Sequence, residues 1–164
     1  MVLIGLATGA RWSEAENLKP MSLRDGVVTF SGTKSGKVRS VPISPELQAF
    51  LIGHWKRHGQ CCKAITSFRR ALARTTIDLP RGQASHGLRH TFASHFIQNG
   101  GNILTLQKIL GHSSLAMTMR YAHLAPEHLV EAVRLGPLSN IIFRCWNISY
   151  GLYLSYDLGS GIHR

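Results

Sequence analysis

His86-Gly-Leu-Arg89-His90, followed by Leu110-Gly-His112 and then Met119-Arg-Tyr121, is the stretch on which both the fold and the chemistry turn. His86 and Arg89 stand three positions apart, a spacing that puts both side chains on one face of a helix. Leu88, Phe92 and Phe96 add an apolar line at four-residue steps, so a helix is predicted from about His86 to Asn99, closed by Gly100-Gly101. Asn102 caps the next helix, Ile103 to Leu110, which Gly111 ends, and Ser113 or Ser114 starts another that runs through Leu124 and carries Tyr121. The tyrosine can meet the histidine and arginine only if these segments fold back on each other.

Working outward, Val2 to Ala7 reads as the end of a buried helix that Gly9 terminates, and Ser13 as the cap of a short helix with Glu14 and Glu16 in its first turn. Arg11 then lies between an apolar helix and a capped one, a partly enclosed position that needs an anion: Glu14 or a bound phosphate. From Met21 the period changes. Asp25-Gly26 is a hairpin signal ahead of Val27–Phe30, and a second turn around Thr33–Gly36 leads into Lys37–Ile43, which together give a small three-stranded antiparallel sheet. Pro42 marks the last strand as an edge or as ending there. Lys34, Lys37 and Arg39 gather at that turn, a basic hairpin tip able to reach a polyanion.

Ser44-Pro45-Glu46 opens a structural helix with Leu47, Phe50, Leu51 and Trp55 on its apolar stripe. Ile65 to Thr75 forms another, whose outer face carries Arg69, Arg70 and Arg74, candidates for contacts to a phosphate backbone. Pro126 opens a last short helix bearing Leu129 and Val133, and beyond Leu138 an apolar, aromatic tail either pairs as a strand or packs irregularly. The chain therefore reads as α+β, mainly α-helical, with helices around a small three-stranded antiparallel sheet. Residues 1–138 form the main domain and 139–164 a tail.

Charge names the partner class. Nineteen Lys and Arg against eight Asp and Glu give a formal +11, which points to nucleic acid. No run of about 18 apolar residues suggests a membrane span, no secretory signal opens the chain, and a cytoplasmic setting with Cys61, Cys62 and Cys145 as reduced thiols follows. The eight acidic residues form no DxD or ExxE cluster and there is no GxxxxGK[ST] loop, which disfavours two-metal phosphoryl transfer and nucleotide hydrolysis. His86 and His90 have a zinc-like spacing, but HGLRH lacks the glutamate of HExxH and its arginine would repel a cation, so neither metal nor other cofactor is expected. What remains is metal-free chemistry on a phosphodiester. Arginines hold the non-bridging oxygens, histidines exchange protons, a lysine can protonate a leaving oxygen, and a tyrosine can attack phosphorus.

In their order and spacing the motifs resemble the catalytic domain of the tyrosine recombinases, or phage-type integrases. Thr8-Gly9-Ala10-Arg11-Trp12-Ser13-Glu14 is similar to the family's first-arginine motif with its acidic companion, and Gly32–Ile43 to its catalytic-lysine hairpin. His86–His90 matches the HxLRH box, Leu110-Gly-His112 the LGH box, and Tyr121 follows His112 by nine positions, where the nucleophile belongs. The resemblance implies that Arg11, Arg89 and His112 bind the scissile phosphate, Lys34 protonates the 5′ oxygen, His86 assists proton transfer, and Tyr121 becomes joined to the 3′ phosphate. Glu14 and His90 are read as support. It further implies double-stranded DNA as partner, a homo-oligomer (tetramer) on that DNA, and strand exchange by reversal of the phosphotyrosyl link. Met1 falls inside what the family makes the first helices of this domain. An inactive DNA-binding fragment and, less favoured, a type IB topoisomerase are the alternative expectations.

Overall fold

The computed structural model describes residues 1–31, 38–80, 82–126, 135–137, 143–145 and 154–156. They belong to two units, residues 1–126 and 127–164.

The first unit begins with α1 (Val2–Thr8), which buries Ile4 and Thr8 and ends at Gly9 with φ 63° and ψ 21°. A Cβ at Gly9 would lie 2.7 Å from both Leu110 and Phe92. The turn therefore needs glycine for its backbone angle and again for the close approach of its neighbours. The helix that follows, α2 (Trp12–Glu16), is capped by Arg11 and not by Ser13 as the sequence suggested. The cause is Glu14, whose carboxylate accepts the Arg11 amide N–H at 2.7 Å and fixes the cap two residues earlier.

Three strands follow, β1 (Leu23–Arg24), β2 (Val27–Phe30) and β3 (Arg39–Pro42), antiparallel in that order. Asp25 and Gly26 both have positive φ, 47° and 74°, the conformation that suits a two-residue hairpin turn. Val28 lies opposite Val41, and Phe30 opposite Arg39. All four are buried, so the inward face of β3 carries an arginine as well as a valine.

In α3 (Pro45–His58), Ser44 Oγ accepts the Leu47 N–H at 3.3 Å, and Leu51 and Trp55 are buried. Phe50 departs from the expected stripe and is 57% exposed. Leu47, Leu51 and Trp55 already trace the inner face at four-residue steps, which leaves Phe50 on the flank beside Leu3 and Leu6. Next, α4 (Ile65–Leu72) stacks Phe68 on the Trp12 ring with centroids 4.7 Å apart. Its Arg69 and Arg70 face solvent, as does Arg74 just beyond its end.

The apolar line predicted for α5 (Ala84–Gln98) is displaced by one position: Arg89, Ala93 and Ile97 are buried, while Leu88, Phe92 and Phe96 are half-buried along its flank against α1. Gly5 of α1 sits close enough that a Cβ there would be 3.3 Å from Leu88. Bulk thus fills the α1 side, and the small Ala93 faces α6 (Ile103–Leu110). Asn102 Oδ1 caps α6 through the amides of Leu104 at 2.8 Å and Thr105 at 3.2 Å, and Gly111 ends it with φ 65°.

The single helix expected from Ser113 or Ser114 through Leu124 is broken. A short α7 (Ala116–Met119) gives way at Arg120–Tyr121 to a 3-10 turn, Ala122–Leu124. The Tyr121 amide bonds the Thr118 carbonyl at 3.0 Å, a three-residue step that tightens the chain and turns Tyr121 inward. Two apolar clusters result: one under the sheet, with Ile4, Val28, Phe30, Val41, Leu51 and Trp55, and one of Ala93, Ile97, Leu106, Leu110 and Tyr121.

In the second unit β4 (Phe143–Cys145) pairs antiparallel with β5 (Leu154–Tyr156), Arg144 opposite Ser155. Of the two readings open for the tail, these six residues take the strand, and they pair with each other. The helix expected after Pro126 falls on residues 127–134, outside the described residues.

Candidate active site

Arg89 is the centre of the site because its position is fixed without any carboxylate. Its Nη1 donates to the Gly9 carbonyl at 2.7 Å and its Nη2 to the Leu110 carbonyl at 2.6 Å. It is 7% exposed. Burial, with Arg11 and Arg39 nearby, brings its pKa down to about 10, so it remains a cation at neutral pH. Neutral carbonyls orient the guanidinium and leave its charge for an anion.

Beside it Glu14 organises two more arginines. Arg39 forms a two-point pair with its carboxylate, Nη1 to Oε1 and Nη2 to Oε2, both at 2.8 Å, and donates Nε to the Ile109 carbonyl at 2.7 Å. Its guanidinium also sits 4.5 Å over the Phe30 ring. Arg11 donates Nη1 to Glu14 at 3.0 Å and keeps more exposure than Arg39. Burial works to raise the Glu14 pKa, but the Arg39 hydrogen bonds, the Arg11 amide and the two guanidinium charges outweigh it and hold the carboxyl below its usual range. Arg39 was expected among solvated cations at the hairpin tip, contacting DNA. The structure corrects this: at 7% exposed it is buried, because it faces inward on β3 and its donors are used on Glu14 and Ile109.

An open cleft of about 530 Å³ gathers Arg11, His86, Arg89, His90, His112, Arg120 and Tyr121 along its walls. Arg11 comes from the α1–α2 junction, the next three from α5, His112 from the turn after α6, and Tyr121 from the turn after α7. His112 Nδ1 pairs with Thr118 Oγ1 at 2.8 Å. Burial, then the charges of Arg89, Arg11, Arg120 and Arg39, lower its pKa to about 4, so at neutral pH it is an uncharged hydrogen-bonding group. In the tautomer in which Thr118 donates, Nε2 carries the proton and can donate to an oxygen. Tyr121 is 6% exposed, and its hydroxyl meets His90 Nδ1 at 2.6 Å. Burial raises the tyrosine's pKa against the opposing charges of Arg120 and Arg89.

Arg11, Glu14, His86, Arg89, His90, His112 and Tyr121 are thus brought together. Lys34 and Lys37 lie outside the described residues, and Arg69, Arg70 and Arg74 are on α4 and just past it, away from the cleft walls. Two further side chains belong to the site: Arg120, adjacent to Tyr121, and Thr118, fully buried against His112. Their sequence signal was their place within three residues of Tyr121, on the short α7 and at its end. Among the described residues no group of three or more His, Cys, Asp or Glu could hold a metal ion.

The profile of the phage integrase family matches residues 62–128. The catalytic domain of bacteriophage HP1 integrase superposes with a TM-score of 0.77 at 56% identity, covering 85% of this chain and 82% of that one. The chain belongs to the phage integrase family. The integrase of Escherichia phage 186 is 55% identical over 141 residues, 86% of this chain and 42% of that protein. The family chain described here therefore spans well under half the length of that relative. More distantly, the site-specific recombinase XerH, solved in a post-cleavage complex with a palindromic difH substrate, gives a TM-score of 0.61 at 25% identity, covering 82% of this chain and 44% of that one.

Proposed function

We propose that this chain cuts and rejoins DNA strands through a covalent 3′-phosphotyrosyl intermediate, as a site-specific recombinase. The observation that carries the reading is the cleft in which Arg89, held only by carbonyls, faces Arg11, His112 and Tyr121. Arg11 and Arg89 hold the non-bridging oxygens of the scissile phosphate and offset the charge that grows as phosphorus becomes five-coordinate. Neutral His112 donates a hydrogen bond to the same phosphate. Tyr121 attacks phosphorus and the 5′ oxygen departs with a proton, for which Lys34 is the proposed donor, with His86 assisting. The link to tyrosine conserves the phosphodiester's energy, so a 5′ hydroxyl from another strand reverses the step without nucleotide or metal.

The partner is double-stranded DNA, consistent with the +11 charge and with the DNA complex of XerH. A tetramer on DNA, a cytoplasmic setting, and a division into a catalytic domain over residues 1–138 and a tail over 139–164 complete the proposal. Among the described residues no helix is long and apolar enough to cross a membrane. The test is covalent trapping on nicked duplexes with a randomised core: the parent forms a denaturation-resistant adduct and Tyr121→Phe forms none. Equal trapping by both would remove Tyr121 from the role.

A further inference from the structure

We infer that His90, through Nδ1, takes the proton from the Tyr121 hydroxyl as that oxygen attacks phosphorus. This rests on the reading of Tyr121 as nucleophile. The Nδ1 to Oη distance is 2.6 Å, and the two rings lie 5.9 Å apart, tilted by 47°. The tyrosine ring is embedded with Ala93, Ile97, Leu106 and Leu110, and among the described residues His90 is the side chain that hydrogen-bonds its hydroxyl. His86 lines the same cleft and is exposed, but makes no hydrogen bond to Tyr121 among the described residues.

The surroundings suit a base. The groups that face His90 are Arg120 from the turn after α7 and His86 and Arg89 from its own helix. Burial, followed by these three in that order, holds the imidazole pKa below its usual value. This favours the neutral imidazole, and in the tautomer with the proton on Nε2 its Nδ1 accepts from the Tyr121 hydroxyl. The phenol has the opposite need, since burial makes its ionisation harder. A buried phenol that must become an oxyanion requires an acceptor at contact. The Arg120 guanidinium carbon, 5.9 Å from the centre of the tyrosine ring, supplies positive charge as the oxyanion develops.

In the forward step the Tyr121 O–H bond breaks and its proton passes to Nδ1. The Oη–P bond forms, the P–O5′ bond breaks, and the 5′ oxygen leaves with a proton from the general acid. In the reverse step a 5′ hydroxyl returns its proton to the general acid as it attacks phosphorus, the Oη–P bond breaks, the imidazolium gives its proton to the departing Oη, and the neutral pair is restored.

The test uses the full chain with two pools of nicked duplexes of randomised core, one natural and one carrying a 5′-bridging sulfur, a leaving group that needs no protonation. His90→Asn keeps an acceptor near the place of Nδ1 but takes up no proton; His90→Leu removes both. The parent's adduct rate should rise with pH up to the ionisation of His90, below its usual value, and be flat above it. His90→Asn should retain DNA binding, form adduct about 100-fold more slowly, and keep accelerating into the alkaline range as solvent base takes over. The sulfur substrate should restore Lys34→Ala but not His90→Asn. Nitrogen-15 spectra of the parent's imidazoles supply a readout independent of the variants' folding: His90 should show an unprotonated Nδ1 whose shift changes in Tyr121→Phe. Parent-like rates in both His90 variants, full rescue by sulfur, or a protonated Nδ1 in the neutral parent would overturn the inference. Failure of the parent itself to form an adduct would instead overturn the recombinase reading beneath it.

Discussion

Glu14→Gln removes one negative charge from the point where α2, β3 and Arg11 meet, and its cost follows from the bond pattern. Oε1 accepts from Arg11 Nη1 and Arg39 Nη1; Oε2 accepts from the Arg11 amide and Arg39 Nη2. A glutamine has one acceptor oxygen, so either orientation keeps two of these four bonds and sets an NH₂ group against the other two donors. Arg39, 7% exposed, is then a buried cation without a counter-charge. Removing one partner of a buried ion pair costs about 3–5 kcal/mol, a large share of the roughly 5–15 kcal/mol that holds a domain folded. At this size each kcal/mol moves the midpoint by about 3–5 °C, so a fall of roughly 10–20 °C is expected.

Urea unfolding checks the figure: the midpoint should drop with an unchanged slope. Arg39→Met made in the Glu14→Gln background should cost little more, because the two side chains lose a shared interaction. The pH dependence supplies a second check. The Glu14 pKa is lowered in the folded state, so its contribution is complete above the unfolded value and is lost as pH falls through the folded one. The parent should weaken below about pH 4.5, and Glu14→Gln should show a shallower decline there. A loss below about 1 kcal/mol for Glu14→Gln, or strict additivity with Arg39→Met, would refute the reasoning.

Other perturbations have equally defined outcomes. Gly9→Ala should cost about 2–3 kcal/mol in thermal unfolding, since it combines a left-handed backbone angle with a Cβ 2.7 Å from Leu110 and Phe92. Thr118→Val leaves His112 Nδ1 without its hydroxyl partner; stability should fall by about 1 kcal/mol, and DNA binding should weaken in a gel-shift assay because the imidazole is no longer oriented. His112 is uncharged in the folded state down to about pH 4, whereas an unfolded histidine protonates near pH 6.5. Its contribution is therefore present above about pH 6.5 and lost between there and pH 4, a slope that His112→Gln should reduce in unfolding curves. Arg69→Ala with Arg70→Ala should lower the salt dependence of DNA binding if α4 touches the backbone, while Arg39→Ala should show its main effect in stability.

Much of this was legible because punctuation residues act locally. Gly9 and Gly111 end their helices in left-handed turns, Ser44 and Asn102 cap theirs through side-chain oxygens, and Asp25-Gly26 makes the hairpin. Each needs only its own neighbours to decide the conformation. The misplacements share a different cause. Arg39 reads as a solvated cation until a carboxylate 25 positions earlier in the chain is brought against it. The α5 stripe was assigned to the bulky residues, yet the site requires an arginine to point inward, and small Ala93 sets the helix spacing. The break before Tyr121 depends on where that ring finds a cavity, between α5 and α6. In the candidate site, the motifs named side chains that line the cleft, whereas the partners that hold them, Thr118 and the carbonyls of Gly9 and Leu110, carry no signature of their own.

Those two carbonyls have a further consequence. Gly9 and Leu110 stand at the C-terminal ends of α1 and α6, where unpaired carbonyls concentrate partial negative charge. Arg89 bridges these two ends from a third helix, so its orientation exists only while all three are docked. The buried guanidinium is in effect an interlock: undocking either helix removes one of its two fixed supports. A partly folded or clipped chain would retain its positive charge and general attraction to nucleic acid, but not the aligned guanidinium. Alignment of this buried cation is thereby tied to completion of the fold.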